Sequence, residues 1–488
     1  MKNNSVKTVK ERPNILWIVL EDTNPLMGCY GETLINTPNI DYLAKNGMVF
    51  NNAIMPAPVC SPCRSSIITG IMSTSLGTHN HHSARTAESA IYLPENIKTI
   101  PEFFKEAGYF TFNNGKDDYN FTYDRKHLYE QSYRQHPLYG KSGIHLDLDS
   151  LASKTPFFGQ IQLRGGKEIF NSTFKEQVKT PVDRTLIQLP PYLPNHPDFI
   201  EEYANHLDAI QITDEKVGTI IQQLEKSGLL KNTVVFFFSD HGMRITRHKQ
   251  FLYEGGIRVP LIIADFTKSK NIGSATTYDG LVSGIDLGPT SLALADISIP
   301  NDVEGNDLFN PLGKERTFVI STRDRCDFTI DRIRSVRTKE YKYIRNFMTD
   351  RPYTQPTYMD VDGIPFVKTM KQLNTTNELD SLQAIFYSKT RPTHEFYNLK
   401  EDPHELHNLA SNSAYAAALQ KHISILENWI AETDDKGQYP EDDPNLKLML
   451  GIWGNYAINP EYDTLRTQYD QLAGSQFGLK SSKWQMVE

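Results

Sequence analysis

At 488 residues, with 39% hydrophobic and 23% charged positions, the chain is long enough for a large core and reads as a globular protein of two or three domains. Its net charge of −8 excludes a general affinity for nucleic acid, so an anionic ligand needs positive charge gathered locally. No stretch approaches the roughly 20 apolar residues of a membrane span. The run "ILWIVL" that follows the basic start is also too short for the core of an export signal.

In chain order, "NILWIVLED" (14–22) is a continuous apolar run ending in Glu21 and Asp22. "TPNIDYLAKNG" (37–47) predicts a capped helix ending in glycine, and "KTIPEFFKEAGYFTFNNGK" a helix followed by a strand. Tyr203, Leu207, Ile210, Val217, Ile221 and Leu224 recur at helical spacing over 201–228, with Asp214 on the same seam as a buried structural acid. "NTVVFFFSDHG" (232–242) predicts a buried strand ending in Asp240 and His241, and "VPLIIAD" (259–265) another strand. From about residue 315 the pattern changes. "DRIRSVRTKEYKYIRNF" (331–347) alternates like an antiparallel pair, and "HEFYNLKEDPHELHNLA" (394–410) predicts a strand, a turn and a helix capped by Asp402. Residues 350–393 and 433–488, rich in polar, Pro and Tyr residues, read as loops over the surface.

The fold class that follows is α/β. A large, mainly parallel sheet is covered by helices on both faces, with a smaller C-terminal α+β domain built on a short antiparallel sheet. The expected division is a catalytic domain over 12–314 and a subdomain over 315–488 that contributes to the substrate pocket. Ligands of such sheets bind beyond the carboxyl ends of the strands, where Glu21, Asp22, Asp240 and His241 all fall. Either acid group alone reads as a helix cap. Together they would repel one another unless a cation lay between them, which points to a hard, oxygen-liganded ion, Ca2+ or Mg2+. Cys60 and Cys63 form a C-x-x-C, but Cys29 and Cys326 stand alone and supply no second zinc pair, and the large chain does not suit a thioredoxin-type motif.

"CSPCR" with Thr69-Gly70 downstream has the form C-x-P-x-R, and with "RPNILWIVLED", "TPNIDYLAKNGMVFNNA", "NTVVFFFSDHG" and "YNLKEDPHELHNLA" it resembles the type I sulfatases of the alkaline phosphatase superfamily over roughly 12–435. The resemblance implies that Cys60 is converted to Cα-formylglycine by a formylglycine-generating or anaerobic sulfatase-maturating enzyme. The hydrated aldehyde then attacks the sulfur of a sulfate ester. It also implies Ca2+, or Mg2+, held by Glu21, Asp22, Asp240, His241 and the matured residue 60. Arg64 matches the arginine that supports the formylglycine, Lys116 the lysine near it, and Lys249 the lysine that contacts sulfate and the leaving oxygen.

The chain departs from the family pattern at two histidines, where it has Asp118 and Lys167; His79 and His248 are the nearest replacements by position. "GKDDYNF" with "RDRCD" looks most like the branch of N-sulfoglucosamine sulfohydrolase and the bacterial polysaccharide sulfatases. On that likeness Arg323, Asp324, Arg325 and Asp327, with Arg164 and Lys167 from a stretch expected near the pocket mouth, are expected to grip a sulfated oligosaccharide, although "STRDRCD" reads equally as a salt-bridge cluster within a loop; the expected location is the periplasm or exterior of a bacterium. The rivals are a sulfamidase, a phosphonate or phosphate monoester hydrolase of the same superfamily, and a catalytically silent saccharide-binding relative.

Overall fold

The computed structural model describes residues 12–133, 148–268, 272–273, 275–310, 312–313 and 315–472. Its strands are β1 (Asn14–Leu20), β2 (Gly47–Ile54), β3 (Phe110–Asn114), β4 (Gln131–Tyr133), β5 (Phe157–Leu163), β6 (Thr233–Ser239), β7 (Arg258–Val259), β8 (Leu261–Asp265), β9 (Thr276–Ser283), β10 (Val319–Arg323), β11 (Ile333–Arg337), β12 (Tyr341–Asn346) and β13 (His394–Asn398). The first nine form one sheet in the order β4-β3-β5-β1-β6-β8-β2-β7, with β9 also on β2. β4, β3, β5, β1 and β6 run parallel, whereas β8 is antiparallel to both β6 and β2. "VPLIIAD" is therefore the strand that reverses direction.

Both faces of this sheet are buried, which is why its strands are apolar throughout. Ile15, Trp17 and Val19 of β1 pack with Phe236 and Phe238 on one face. Leu16, Ile18 and Leu20 pack with Val235 and Phe237 on the other, beneath the helix Pro197–Lys226. That helix sends Asp214 to the first amides of the helix Pro38–Lys45, accepting from Asn39 N at 3.0 Å and Ile40 N at 2.8 Å. Asp214 is thus a structural cap.

β10 to β13 form a second, four-stranded antiparallel sheet covered by the helix Ala416–Thr433. β10 is tied to the segment just before Cys60, through Thr322 N to Pro56 O at 2.8 Å and Ser321 Oγ to Met55 O at 2.7 Å. Two expectations are corrected here. The stretch 402–410 is a run of turns in which Asp402 accepts from Leu406 N and His407 N, and the helix starts only at Ala416. The stretches read as loops hold the helices Tyr358–Val361, Pro365–Thr375, Asp443–Trp453 and Asp463–Leu472; residues 473–488 lie outside the described residues. Met449, Leu450 and Leu465 of the last two helices bury a small core against Phe328.

Candidate active site

The register of the sheet gathers the site. Leu20 pairs with both Leu163 and Ser239, so Glu21-Asp22, Arg164–Lys167 and Asp240-His241 leave three neighbouring parallel strands side by side. Gly165 and Gly166 let the middle segment close onto the first. A Cβ at Gly165 would lie 2.5 Å from Glu21 O, and one at Gly166 would lie 2.2 Å from Asp22 O. The turn is held by Gly166 N donating to Glu21 O at 2.9 Å, and it sets Lys167 Nζ against Glu21 Oε2. Asp22, His82, Asp118 and Asp327 all have positive φ, between 50° and 60°. Such backbone is costly for non-glycine residues and clusters at functional sites.

Cys60 is the first residue of the buried helix Cys60–Thr69, where backbone N–H groups favour a negative sulfur. Its Sγ lies 3.2 Å from His241 Nε2, 3.7 Å from Lys167 Nζ and 3.9 Å from Lys249 Nζ. Burial acts to raise the thiol's pKa, but Lys116, Lys167, Lys249 and His241 outweigh it and bring it well below the ordinary value. Cys63 is the opposite case. Its Sγ donates to Asp240 O at 2.8 Å, and burial with the neighbouring Asp240 raises its pKa. The C-x-x-C is neither a dithiol pair nor part of a zinc site: both sulfurs are free, with different partners.

The acids are held ionised by the same cations. Burial opposes the Glu21 carboxylate, but Lys116, Lys167 and Arg64 bring its pKa down to about 2. Asp22 is likewise depressed, by Lys167, Lys249 and His241 against burial; Lys249 Nζ reaches its two oxygens at 3.1 and 3.0 Å. Arg64 spans Asp240 Oδ2 at 2.9 Å and Gln162 Oε1 at 2.8 Å. Ligand atoms of Asp22, Cys60 and His241 lie within 4.8 Å of one another, as do those of Glu21, Cys60 and Asp240. Two buried carboxylates, Asp22 and Asp240, and the partly buried Glu21, in two groups that meet at Cys60, are a donor set that suits a hard divalent ion. A thiol does not suit one, so Cys60 fits the set only once its side chain carries oxygen.

The other expected residues fall elsewhere. His248 is buried, with Nε2 against Tyr192 Oη at 2.7 Å and Nδ1 against Asn24 Oδ1 at 3.0 Å, which leaves neither nitrogen for a substrate. His79 is buried near Asp324 and Arg334, and it is His81 that approaches the sulfur. A ring nitrogen of His81, Cys60 Sγ and an Asp118 oxygen lie within 4.8 Å of one another. His81 Nδ1 is 3.1 Å from Asp327 Oδ1, an ion-pair contact at too poor an angle for a hydrogen bond, and His82 Nδ1 is 2.9 Å from the same oxygen.

Arg325 spends all its donors on protein: Glu441, His81 O, Asp327 O and Ser83 Oγ. Arg323 pairs with Asp331, and Asp324 with Arg334, which also holds Asp435. "RDRCD" is therefore largely an internal ion-pair framework, in which Arg325 has no donor left for a ligand and Arg323 is held by Asp331; Asp327 reaches the centre through His81. Lys167 faces the Cys60 sulfur rather than an outer rim. Arg164 is half-buried at the start of its turn. Sequence reasoning missed His81, the partner role of Asp118, Gln162 and Tyr358, whose ring centroid lies 5.4 Å from Lys249 Nζ. The glycine pair before Lys167 was the one local signal that this segment must close on Glu21.

The family profile described as Sulfatase matches residues 13–297. The chain belongs to the sulfatase family. A second profile, N-sulphoglucosamine sulphohydrolase, C-terminal, matches residues 241–354 of this sulfatase. An ulvan-active sulfatase of Formosa agariphila is 29% identical, over 90% of this chain and 78% of its own. Human N-sulphoglucosamine sulphohydrolase is 24% identical, over 87% of this chain and 91% of its own. A solved structure described as in complex with its substrate D-glucosamine-2-N,6-O-disulfate has a TM-score of 0.61 at 19% identity, covering 90% of this sulfatase and 100% of that chain, which shows the shared fold. The protein is a sulfuric ester hydrolase with the alkaline phosphatase-like architecture. Among the described residues no helix is long and apolar enough to cross a membrane.

Proposed function

We propose that the enzyme releases sulfate from a sulfated saccharide, using residue 60 after maturation to Cα-formylglycine and a divalent cation, Ca2+ first, held by Glu21, Asp22 and Asp240 with His241 beside them. The observation that carries the reading is the convergence of Lys167, Lys249 and His241 on the Cys60 sulfur at 3.7, 3.9 and 3.2 Å. Relatives that carry the names ulvan-active sulfatase and N-sulphoglucosamine sulphohydrolase support a saccharide as substrate. Such polymers are too large to enter a cell unaided, which favours action in the periplasm or the medium.

When bound, the cation neutralises sulfate oxygens and favours ionisation of a hydroxyl at residue 60. The matured residue supplies that hydroxyl as the nucleophile. The remaining work falls to this chain's own groups. Lys249 and Lys167 face the sulfur position and stabilise charge on the sulfate oxygens and the leaving oxygen. Arg64 fixes one oxygen of Asp240 and leaves the other turned toward Asp22 N at 3.3 Å. Lys116, paired with Glu21 at 2.8 Å and Asp118 at 3.2 Å, holds both carboxylates in place. His81, backed by Asp327, holds a proton at the ring nitrogen facing residue 60 and replaces the two histidines whose places are taken by Asp118 and Lys167.

The test is sulfate release from ulvan- and glycosaminoglycan-derived oligosaccharides by protein made with and without a maturing enzyme, together with peptide mass spectrometry at position 60. Active protein is expected to carry the aldehyde, and Cys60→Ala to be inert. Full activity with an unmodified thiol would refute the reading. A second reading, cleavage of an N-sulfate, is favoured by the profile match at 241–354, and N-sulfated glucosamine in the same assay separates the two.

A further inference from the structure

Arg244 follows the Asp240-His241 strand end and is 6% exposed. Nε and Nη2 donate to Glu202 Oε1 at 3.2 and 2.7 Å, whereas Nη1 has no hydrogen-bond partner. A buried guanidinium donor left unpaired costs stability, so its retention calls for a ligand. The Nε2 atom of His206, itself 4% exposed, is unpaired on the same flank. His206 packs against the Lys167 turn, where a Cβ at Gly166 would lie 2.7 Å from its ring. Arg244 is close enough to Asp22 and Tyr358 to act electrostatically on both, and Tyr358 stands over Lys249. Phe170 lies against the guanidinium, its ring centroid 4.5 Å from Cζ, and is 39% exposed, so an aromatic surface of the kind that packs on sugars borders the group.

We propose that Arg244 is a specificity residue that binds a second anionic group of the saccharide, a carboxylate or a further sulfate, beside the ester being cleaved. The inference rests on the saccharide sulfatase reading and adds to it that the preferred substrate is at least doubly anionic. Glu202 aims the guanidinium by holding its far edge, leaving Nη1 as the donor for the ligand.

The probes are oligosaccharide pools cut from ulvan, heparan sulfate and chondroitin sulfate, each intact and carboxyl-reduced, with 4-nitrophenyl sulfate as the substrate lacking a second anion. Arg244→Gln is expected to lower kcat/KM on the best pool by about 100-fold, mainly through KM. That loss should exceed the loss on 4-nitrophenyl sulfate at least tenfold. Arg244→Lys, which keeps the charge and the Glu202 pair, should recover part of it and guards against misfolding of the first variant. If carboxyl reduction costs the wild type as much as the substitution does, the bound group is a carboxylate. If reduction costs nothing and Arg244→Gln still discriminates, it is a second sulfate. Equal losses on pool and aryl sulfate, or no loss on either, would overturn the inference while leaving the sulfatase reading intact. A wild type that cleaves 4-nitrophenyl sulfate and no pool would overturn the saccharide reading beneath it.

Discussion

Around Cys60, Lys167 and Lys249 share Asp22 between them and lie 3.7 and 3.9 Å from one sulfur, so several charges converge on a single point. Around β10 the arginines are as deeply buried, but they point at separate acids and not at one shared point: Arg323, with Arg391, at Asp331, Arg325 at Glu441, and Arg334 at Asp324 and at Asp435, which Arg332 also approaches. The two regions use the same residue types to opposite ends. Closed pairs satisfy their charges inside the protein and set geometry, whereas the convergent cluster turns Lys167, Lys249 and His241 toward one sulfur position while pairing its lysines with Glu21 and Asp22.

The sharpest way to break this contrast is Lys249→Ala in matured enzyme. Turnover is expected to fall by about 10²–10³-fold, as for loss of a preorganised charge at the transition state, with bound metal retained. A loss below tenfold would remove Lys249 from the convergent group. Arg334→Met tests the other side. It strands Asp324 as a buried acid without its ion pair and leaves Asp435 with only the longer contact to Arg332 at 3.5 Å, and urea denaturation should show a loss of about 3–5 kcal/mol, while turnover per folded molecule stays within about threefold. Unchanged stability with lost turnover would move Arg334 into the site.

The smallest effect concerns His248, which burial, then His206 and Arg247, push down to about pKa 3 from 6.5. Between those values the unfolded chain binds a proton that the fold does not. The neutral ring's contribution is therefore complete above pH 6.5 and is lost as the pH falls toward 3. His248→Asn should destabilise the protein at neutral pH and flatten the acid slope by about 1.4 kcal/mol per pH unit, read from denaturation midpoints at several pH values. An unchanged slope would show that His248 does not stay neutral in the fold.

The parallel strands and their acidic ends were legible because buried strands are apolar on both faces and the acids interrupt them abruptly. Cys60, Arg64, Lys116 and Lys249 were legible through one motif and its neighbours. The histidine was not. In "GTHNHH" nothing periodic tells which imidazole faces the sulfur, and the answer, His81, depends on Asp327 reaching across from the second sheet. "RDRCD" was ambiguous for the same reason, since its partners Asp331, Arg334, Asp435 and Glu441 are set by tertiary structure. Asp402-Pro403 carries a helix-start signature, but its carboxylate closes a turn instead. The helix Asp443–Trp453 was hidden by its composition, although Leu446, Met449 and Leu450 already stand at helical spacing.

Glu441 accepts from Ser83 Oγ across 358 residues of sequence and from Arg325 across 116. A ribosome making this chain from its N-terminus therefore completes the large sheet and exposes Cys60 long before the last anchor of the His81 loop has been synthesised. Nascent or prematurely terminated chains ending before Asp435 would carry Cys60, the acids and the lysines, yet hold the His81 loop by fewer ties. Timing during synthesis thus separates assembly of the charge cluster from the last contacts made to that loop.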